Sequence, residues 1–447
     1  MNFDYDLFII GAGPGGLAAA KRAAAYGSRV AIAEQATVGG ACINYGCIPE
    51  KLMAYAASFS SFFPIAVSYG WSQCNSSFDW SKFRLAKDKK VHQLNNLHTE
   101  SLKKVGVEFF WGHTTFVDAH TLAVDERQIT ADKILIAVGA KPVKPDIPGI
   151  EYAIFSHELF HLQQQPKHIA IIGSSYIAVK SAGSFNGIGS QVTQVFLEDC
   201  ILPGFDEDIR QAVQVDMSKR GIQFLENTKV EKIADTGYGL SLTLSGNCNH
   251  KLTVDAVLSM AGRIPNLNGL NLEKAGVEVT YGGGIVVDEY SRTTQENIFA
   301  IGDCINHFHF TPIATAQSHA FADTEFGNKP QTVNYEWVPI SVSSQPEAAT
   351  VGLTEAQARE KFGKSVQVFR EECKPLFYSL TEEEEKTLVK LVVDGNSKRV
   401  VGAHVVGEYA NEIVQSIALA LKRGATKEDF NAMIGIHPSI AEELFTL

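Results

Sequence analysis

Two cysteines near the N-terminus stand at a spacing that suits redox chemistry. Cys42 and Cys47 lie five residues apart in the segment GGACINYGCIPEK, which begins at Gly39. A pair this close can form a disulfide across a short loop at little cost in entropy. Pro49 suits the first turn of a helix, and a helix N-terminus beside a cysteine favours the thiolate. Two buried cysteines without a chemical role are the alternative, and the pair alone does not decide between the two.

A glycine-rich motif, Gly11-x-Gly13-x-x-Gly16, precedes the cysteines. It follows a strand-like run and opens a helix, so the backbone can turn tightly and approach a pyrophosphate at the helix N-terminus. Glu34 lies 23 residues after Gly11, at the end of a second strand, where a carboxylate can bind a ribose hydroxyl. A glycine-rich turn without a ligand is the alternative, but the strand, the helix and the acid together favour dinucleotide binding.

A histidine with a nearby acid lies close to the C-terminus, in the segment GIHPSIAEE that begins at Gly435. His437 precedes Pro438, which disfavours helical geometry for the histidine. Ser439 suits a helix N-cap, with Glu442 in the capping-box position. Glu442 therefore has two candidate roles, to cap the helix or to orient the imidazole so that His437 acts as an acid and base. The spacing alone favours the capping role.

The elements that must position these residues include an internal repeat. A shift of 162 residues pairs Gly11 with Gly173 and Val30 with Val192. Each copy reads as an apolar strand, a turn of small residues, a helix and a second strand, which is a βαβ unit. Two copies predict two nucleotide-binding-type domains in one chain.

The rest of the chain predicts further helices, strands and linkers. Proline-rich residues 142–148 and residues 261–266 are predicted linkers, and the unit that begins near Tyr335 carries no phosphate loop. The other expected elements are a helix over 78–104, a buried strand over 134–140 that ends in glycine, a strand over 298–301 that leads to an acid, a helix from Thr354, strands near 388–393 and 400–406, and a helix over 410–423.

Composition limits the class of protein. A chain of 447 residues predicts about three domains, and 45% apolar with 20% charged residues is ordinary globular usage. A net charge of −11 without a basic block argues against nucleic-acid and anionic-membrane partners. No apolar run approaches the roughly 18 residues of a membrane helix, and the acidic N-terminus does not resemble a signal peptide. We therefore expect a soluble, cytoplasmic enzyme or binding protein.

Seven cysteines are too few for a disulfide scaffold in a chain of this length. Five of them show no metal-ligand spacing, so we predict no metal site and assign them no role. These five are Cys74, Cys200, Cys248, Cys304 and Cys373.

Taken together, the motifs resemble the class I pyridine nucleotide-disulfide oxidoreductase family over essentially the whole chain, and within it the glutathione reductases. The similarity lies in the first glycine loop, GGACINYGCIPEK, the strand ending at Gly139, GRIPN, IFAIGD, PEAATVGLTE and KRGATKEDFNAMIGIHPSIAEEL. It implies an α/β fold with two Rossmann-like FAD/NAD(P)-binding domains and a C-terminal α+β dimerisation domain. The implied division is 1–145 for the first part of the FAD-binding domain, 146–264 for the NAD(P)H-binding-type domain, 265–330 for the second part of the FAD-binding (central) domain, and 331–447 for the dimerisation domain.

The resemblance also implies an activity. Electrons pass from NADPH through FAD to a Cys42–Cys47 disulfide, and from there to a disulfide substrate such as glutathione disulfide. Cys47 is the thiol beside the flavin, and Cys42 attacks the substrate. In a homodimer, His437 of the partner subunit protonates the departing thiol and is oriented by Glu442. The implied cofactor-binding residues are Gly11, Gly13, Gly16, Glu34, Lys51, Gly139, Asp303, Gly173, Tyr176 and Arg263.

The second unit departs from the pattern of the first. Relative to the first copy, Ser175 replaces Gly13, Ala178 replaces Gly16, and Phe196 replaces Glu34. We expect Ser175 to crowd a pyrophosphate and Phe196 to leave the ribose hydroxyl without an acceptor. The family's NADPH-specific arginines fall near Leu197 and Pro203, and residues 198–199 add negative charge. The electron donor therefore stays open between NADPH, NADH and a protein such as a ferredoxin.

Other departures concern the substrate and a pair of charges. Two arginines that hold glutathione carboxylates in the family match Lys21 and His319; lysine lacks the bidentate fork, and histidine carries little charge at neutral pH. The lysine after the redox proline reads Glu50, and its glutamate partner reads Lys180. Since a lone buried charge costs several kcal/mol, we expect these two residues to form an ion pair of reversed polarity.

We predict the first of three candidate functions, a dimeric FAD-dependent enzyme, and keep the other two as alternatives. The first is a disulfide reductase of the glutathione reductase type. The second is a reductase of another disulfide, or a dihydrolipoamide-type enzyme, with a different electron donor. The third is a flavin-binding redox sensor that does not turn over.

Overall fold

The structure of the chain is a computed structural model that describes residues 2–73, 76–305 and 309–447. Cys74, one of the cysteines without an assigned role, lies outside the described residues. Helices and strands alternate through the first two thirds of the described chain, and a sheet with its own helices follows.

The first region carries the glycine motif and the paired cysteines. Its strands are β1 (Tyr5–Ile10), β2 (Val30–Glu34), β3 (Glu108–Trp111), β4 (Thr114–Phe116), β5 (Thr121–Val124), β6 (Arg127–Ile136) and β7 (Ala140–Pro142). Its helices are α1 (Pro14–Ala25), α2 (Gly40–Asn44), α3 (Cys47–Ser68) and α4 (Trp80–Lys104). The helix predicted over 78–104 is confirmed. The buried strand ends at Ile136 rather than at Gly139, which follows in a left-handed conformation with φ +68°.

The first sheet is parallel at its centre. The strand order is β3-β2-β1-β6, and β1 pairs in parallel with both β2 and β6. Leu7, Phe8 and Ile9 of β1 are fully buried. A central parallel strand is covered on both faces, which is why β1 is a continuous apolar run without alternation.

The second region contains the second copy of the repeat. Its strands are β8 (Ile154–Phe155), β9 (His168–Ile172), β10 (Gln191–Val195), β11 (Gln223–Leu225), β12 (Thr228–Asp235), β13 (Leu240–Gly246), β14 (Lys251–Val254), β15 (Ala256–Ser259) and β16 (Arg263–Pro265). Its helices are α5 (Tyr176–Gly187) and α6 (Glu207–Lys219). Strands β11-β10-β9-β15-β8 form a second parallel sheet, so both copies fold as the predicted βαβ units.

The start of the first predicted linker pairs with the second linker. Strand β7 ends at Pro142, the first residue of the first linker, and β16 lies in the second, and the two strands form an antiparallel ribbon in which Arg263 faces Pro142. The chain thus leaves and re-enters the first region through one two-stranded connection.

The last region returns to the first sheet before it builds its own. Its strands are β17 (Ile298–Ala300), β18 (Ile340–Val342), β19 (Ala348–Gly352), β20 (Val366–Cys373), β21 (Thr387–Asp394) and β22 (Val400–Val406). Its helices are α7 (Thr311–Glu325), α8 (Glu355–Phe362), α9 (Ala410–Lys422), α10 (Lys427–Ala432) and α11 (Glu443–Thr446). Strand β17 pairs in parallel with β6, whereas β18-β19-β22-β21-β20 form an antiparallel sheet of their own.

A buried lysine joins the second region to the last sheet. Lys390 of β21 is 1% exposed, and its ammonium lies 2.8 Å from Asp206, 2.5 Å from Asp208 and 2.9 Å from Glu355. Asp206 caps the N-terminus of α6, and Glu355 begins α8. The hydrogen bond from Lys390 holds the pKa of Glu355 below its ordinary value. One cation therefore ties together three carboxylates from two regions of the chain.

Substitution of Lys390 by methionine is expected to destabilise the fold by about 3–5 kcal/mol, because it leaves the buried carboxylate of Asp206 and two partly buried carboxylates without their shared counter-charge. Urea denaturation at neutral pH measures this change in the free energy of unfolding. Because the pKa of Glu355 is lowered on folding from 4.5, its contribution is present above that pH and is lost as the pH falls further. The deficit of the variant should therefore shrink in acid.

Lys386→Met is the matched control for this prediction. Lys386 directly precedes β21, and its side chain is 59% exposed with one ion pair, to Glu372. An exposed pair contributes about 0–1 kcal/mol, so this variant should unfold near the wild-type urea concentration. Equal losses in both variants would contradict the role given to the buried cluster.

Candidate active site

The paired cysteines meet where α2 approaches the first turn of α3. Cys42 lies in α2, and Cys47 is the first residue of α3. A side chain on Gly46, between them, would place its Cβ 2.9 Å from the carbonyl oxygen of Ala41 and 3.4 Å from the Cα of Cys42. Glycine is therefore required for this close approach, which brings the two thiols within hydrogen-bonding distance of each other.

The two thiols differ in acidity. Cys47 accepts a hydrogen bond from Cys42 and a second from Thr311 at 3.6 Å, and these lower its pKa to about 6 although partial desolvation opposes them. The pKa of Cys42 is raised, because Cys42 donates the shared hydrogen bond and is shielded from water. The dipole of α3 also favours a negative charge at its first residue. In the dithiol state Cys47 is the thiolate and Cys42 carries the proton.

A cavity of about 960 Å³ connects the glycine loop to the cysteines. Its size falls within the range typical of cofactor pockets. Of the residues that the sequence singled out, it is lined by Gly11, Gly13, Glu34, Cys42, Cys47, Glu50, Gly139, Tyr176, Lys180, Arg263 and Asp303. The tertiary structure thus brings residues from the first 50 positions together with residues beyond 260.

One end of this cavity fits the pyrophosphate and ribose of a dinucleotide. Gly13 caps the N-terminus of α1, and a Cβ there would meet no neighbouring atom closer than 3.9 Å, so the helix end is open to a ligand. The carboxylate of Glu34 accepts hydrogen bonds from the backbone N–H groups of Ala12 and Ala36, both at 2.9 Å. Each oxygen keeps a further acceptor site, so the held carboxylate can also accept a ribose hydroxyl.

Two of the glycines are required by the turn itself. Gly11 has φ +105°, and a Cβ there would lie 2.5 Å from the carbonyl oxygen of Ala137. A Cβ on Gly16, which the structure buries in α1, would collide with the carbonyl oxygen of Gly11. Gly16 therefore acts through helix–strand packing and does not line the cavity.

The other end of the cavity is polar and aromatic. Arg263 pairs with Asp303 at 3.1 Å and donates to the carbonyl oxygen of Ala140 at 2.9 Å, so both charged side chains are held in place. Tyr176 stacks at a tilt on Phe310, with ring centroids 5.6 Å apart, and burial raises its pKa to about 12. Tyr176 is therefore a neutral hydrogen-bonding group at neutral pH.

The expected ion pair of reversed polarity is confirmed. Lys180 of α5 lies 3.4 Å from Glu50 of α3, and the two side chains are 13% and 18% exposed. Lys51, in contrast, pairs with Glu347 at 3.0 Å and is not among the residues that line the cavity. Its assignment as a cofactor-binding residue stays a prediction.

The glycine loop of the second unit differs from the first. Gly173 keeps the tight turn with φ +124°, but Ser175 caps α5 with its own hydroxyl, which accepts a hydrogen bond from the backbone N–H of Ala178. The serine side chain thus occupies one of the N–H groups that a free helix end would offer to a phosphate. Phe196 is 3% exposed and packs edge-to-face on Phe224.

Among the described residues, the segment that follows Phe196 offers no arginine whose guanidinium is available to bind a phosphate. Asp199 accepts a hydrogen bond from Arg210 at 3.1 Å, and Arg210 also pairs with Glu207 at 2.8 Å. The same guanidinium donates to the carbonyl oxygens of Cys200 and Ile201. Its donors are therefore committed to the protein.

Glu442 makes both of the contacts weighed from the sequence. Its carboxylate lies 3.0 Å from Nδ1 of His437 and accepts the backbone N–H of Ser439, which completes a capping box. The bond from Ser439 and then that from His437 lower the pKa of Glu442. The His437 side chain is 82% exposed, beside Ile436 at 81%, and does not line the cavity of its own chain.

Sequence reasoning missed Thr311, whose hydroxyl contacts the sulfur of Cys47. Thr311 begins α7, more than 260 positions from Cys47, and no motif marked it. Lys21 is half-buried on α1, which lowers its pKa, and His319 is exposed on α7. Neither lines the cavity, so their role in holding a substrate stays a prediction.

The remaining described cysteines are free thiols. Cys200 and Cys304 are buried, and burial raises the pKa of both. Within the described residues, no three His, Cys, Asp or Glu side chains converge as a metal site would require. The described helices also include none with the length and apolar character needed to cross a bilayer.

Comparison with known families gives two matches that together span almost the whole chain. Residues 5–320 match the pyridine nucleotide-disulphide oxidoreductase model. Residues 338–447 match the pyridine nucleotide-disulphide oxidoreductase dimerisation domain.

Curated relatives are similar over the full length. The chain is 50% identical to a glutathione reductase from Nostoc sp., with all of both chains covered. It is 42% identical to a glutathione reductase from Burkholderia cepacia, covering 100% of this chain and 99% of the relative. It is 39% identical to the chloroplastic/mitochondrial glutathione reductase of Pisum sativum, covering 100% and 82% respectively.

Removal of the Thr311 hydroxyl is expected to make Cys47 less acidic. In the reduced protein, Thr311→Val should slow alkylation of Cys47 by iodoacetamide about fivefold near about pH 6, because a hydrogen bond to a charged group is lost. Peptide mass spectrometry after brief labelling distinguishes Cys47 from Cys42. Thr315→Val is the control, since Thr315 lies one turn further along α7 and its hydroxyl donates to the Thr311 carbonyl oxygen, away from Cys47. An unchanged rate in Thr311→Val would show that the contact does not stabilise the thiolate.

Proposed function

The chain belongs to the pyridine nucleotide-disulphide oxidoreductase family and is a flavoprotein disulfide oxidoreductase, and from this we propose that it reduces glutathione disulfide with electrons from NADPH. The fold class predicted from the motifs, with a C-terminal dimerisation domain, is confirmed by the same matches. The proposed division into domains at residues 145, 264 and 330 remains our inference.

One observation carries the proposal: a single cavity is lined by the glycine loop, Glu34 and both cysteines. Glutathione reductases use FAD and NADPH, and Gly11 and Gly13, which line this cavity, would hold the diphosphate of FAD. Asp303, held by Arg263, would bind the ribityl part of FAD. Gly139, which has no side chain, would leave room for the ribityl part next to it. When bound, FAD supplies the two-electron carrier between the nicotinamide and the disulfide.

The residues of the dithiol have distinct tasks. Cys42, on the side of the substrate, attacks one sulfur of the substrate disulfide after it has given up its proton, and a mixed disulfide forms as the first thiol leaves. The thiolate of Cys47 then attacks the sulfur of Cys42, which restores the Cys42–Cys47 disulfide and releases the second thiol. The low pKa of Cys47 keeps this second nucleophile ionised at neutral pH.

A base is needed because Cys42 holds its proton tightly. We assign this task to His437 of the partner subunit, which takes the proton of Cys42 and gives it to the first departing thiol. Its exposure in the single chain and its place in the dimerisation domain support an action across the dimer interface. Glu442 accepts the Nδ1–H bond and so leaves Nε2 free for proton transfer.

The region expected to bind the electron donor lacks the positive charges that would select NADPH over NADH. No positive side chain occupies position 197 or 203, and Arg210 is committed to Asp199 and Glu207. Tyr176 and Arg263 still line the cavity, so the nicotinamide end is retained. We therefore expect NADPH to be used with little preference over NADH. A protein donor is the second candidate, which these same losses favour.

The substrate side has also lost bidentate recognition. Lys21 and His319 stand where paired arginines would hold carboxylates, so we expect glutathione disulfide to bind more weakly than to an arginine pair. We place the enzyme in the cytoplasm, where a dithiol with free cysteines elsewhere in the chain remains reduced.

Anaerobic titration of the oxidised protein tests the donor. One equivalent of NADPH per site should lower the main flavin absorbance and leave a long-wavelength band, because its two electrons pass on from the flavin to the Cys42–Cys47 disulfide. NADH should do the same with an affinity within about tenfold of that for NADPH, because no arginine holds the 2′-phosphate. Dithionite-reduced protein should then release thiol from glutathione disulfide. Bleaching by neither nucleotide would exclude a nicotinamide donor, and thiol release after dithionite alone would point to a protein donor. A reduced protein that yields no thiol would favour the redox sensor.

Hybrid dimers test the assignment of His437. Cys42→Ser and His437→Gln homodimers should each lose about 10²–10⁴-fold in turnover with a disulfide. A hybrid of the two variants should recover one working site per dimer, because one site pairs the intact Cys42 with the intact histidine. If His437 acted within its own chain, both sites of the hybrid would stay inactive. A hybrid of Cys42→Ser with wild type, which keeps one working site in either case, sets the reference rate.

A further inference from the structure

An ion pair lies in the wall of the cavity directly behind the acidic cysteine. Glu50 follows Cys47 by three residues, so the two side chains lie on the same face of α3, one turn apart. Lys180 reaches Glu50 from α5 at 3.4 Å. Both members of the pair line the same cavity as Cys47.

The pair is largely withdrawn from water and has few other partners. Burial raises the pKa of Glu50, while the charges of Lys180 and then Lys51 oppose this effect. The ammonium of Lys180 lies 5.3 Å from the centre of the Tyr176 ring. Screening of a half-buried charge is weak, so its field reaches the neighbouring thiol.

We infer that Glu50 and Lys180 are positioning residues that set how readily Cys47 ionises, and that Glu50 is the member of the pair that disfavours the thiolate. The inference rests on the proposed function only in taking Cys47 as the redox thiol. It goes beyond that function because neither residue touches the substrate disulfide.

The direction of the effect follows from the charges that face Cys47. A carboxylate one turn away repels a thiolate, whereas the ammonium of Lys180 attracts it. The repulsion from Glu50 exceeds the attraction by Lys180. Among the described residues of the neighbouring elements, Cys42 on α2 and Tyr176 on α5 also interact with Cys47. The pair therefore opposes the helix dipole, Cys42 and Thr311, which all favour the thiolate.

This polarity has a chemical consequence. A more basic thiolate is the stronger nucleophile, so moderating the acidity of Cys47 favours its attack on the mixed disulfide as long as it stays ionised. With the opposite polarity, a cation would stand one turn from the sulfur and the thiolate would be more abundant but less nucleophilic. The order of the two charges thus matters to Cys47, although an ion pair of either polarity would satisfy both helices.

Labelling of Cys47 in the reduced full-length protein tests the inference without flavin, nucleotide or substrate. The rate of alkylation by iodoacetamide is followed against pH and resolved by peptide mass spectrometry. Glu50→Gln should raise the rate about twofold at about pH 6, because the repelling charge is gone. Lys180→Met should lower it. The double variant Glu50→Lys with Lys180→Glu, the exchanged pair, restores an ion pair of the opposite polarity. Its Cys47 should be alkylated faster than in wild type, and its rate should not return to the wild-type rate.

Three further variants separate charge from structure. Glu50→Asp keeps the carboxylate, so its pH profile should stay near that of wild type. Glu385→Gln is the matched control, because Glu385 pairs with Arg220 at comparable burial but lines a different cavity. Thr311→Val, expected to shift the profile in the opposite direction, shows that the assay responds.

The outcomes are distinct. An unchanged profile in Glu50→Gln and in the exchanged pair, with a shift in Thr311→Val, would overturn the inference. A shift in Glu50→Asp equal to that in Glu50→Gln would assign the residue a purely structural role and also overturn it. Where flavin is bound, the long-wavelength absorbance of the reduced protein should titrate in the same order across the variants. Loss of disulfide reduction with the labelling order intact would count against the proposed function alone.

Discussion

The hydrogen bond between the two thiols depends on how closely a five-residue helix approaches the first turn of α3. Gly46 permits this approach, because any Cβ there would press on the backbone of α2. The contact makes the two sulfurs chemically unequal, since one donates and the other accepts. The order of the two thiol steps follows from this inequality: one cysteine must be deprotonated before it attacks, and the other is ready to resolve the intermediate.

The cavity places the two unequal thiols beside residues from distant parts of the chain. It is assembled from a parallel sheet whose strand ends present the glycine loop and Glu34, and from the start of α3. The return of the chain through β17 adds Asp303, and the second unit adds Tyr176 and Lys180. A ligand in this space would contact residues from three separate stretches of sequence. Binding and redox chemistry are therefore coupled through geometry that no single segment contains.

The regions are held to one another by polar contacts as well as by apolar packing. The β7–β16 ribbon joins the two nucleotide-binding units, and Lys390 joins the second unit to the last sheet. The second unit keeps this architecture although its loop has lost two glycines and an acid relative to the first copy. Conservation of a fold requires the apolar strands and the tight turn at Gly173, whereas recognition of a nucleotide requires particular side chains at the edge. The first can persist while the second changes.

Local patterns in the sequence were sufficient to predict the elements and to select candidate site residues. The apolar strand, glycine turn and following helix define each βαβ unit because their chemistry is encoded within about 30 residues. The same applies to the cysteine pair and to the capping box at Ser439 and Glu442. The ion pair between positions 50 and 180 was predicted instead from the family resemblance, in which the lysine and its glutamate partner are both exchanged, because a lone buried charge is costly.

Other features depend on contacts between distant segments and have no local signature. The hydrogen bond from Thr311 to Cys47 joins residues 264 positions apart, and the cluster around Lys390 joins residues 184 positions apart. The hydroxyl of Ser175 accepts a hydrogen bond from the backbone N–H of Ala178 in its own helix, which only the three-dimensional geometry could show. Long-range placement of this kind is set by the packing of sheets and helices. The sequence around a hydroxyl or an amine does not indicate which distant residue it will contact.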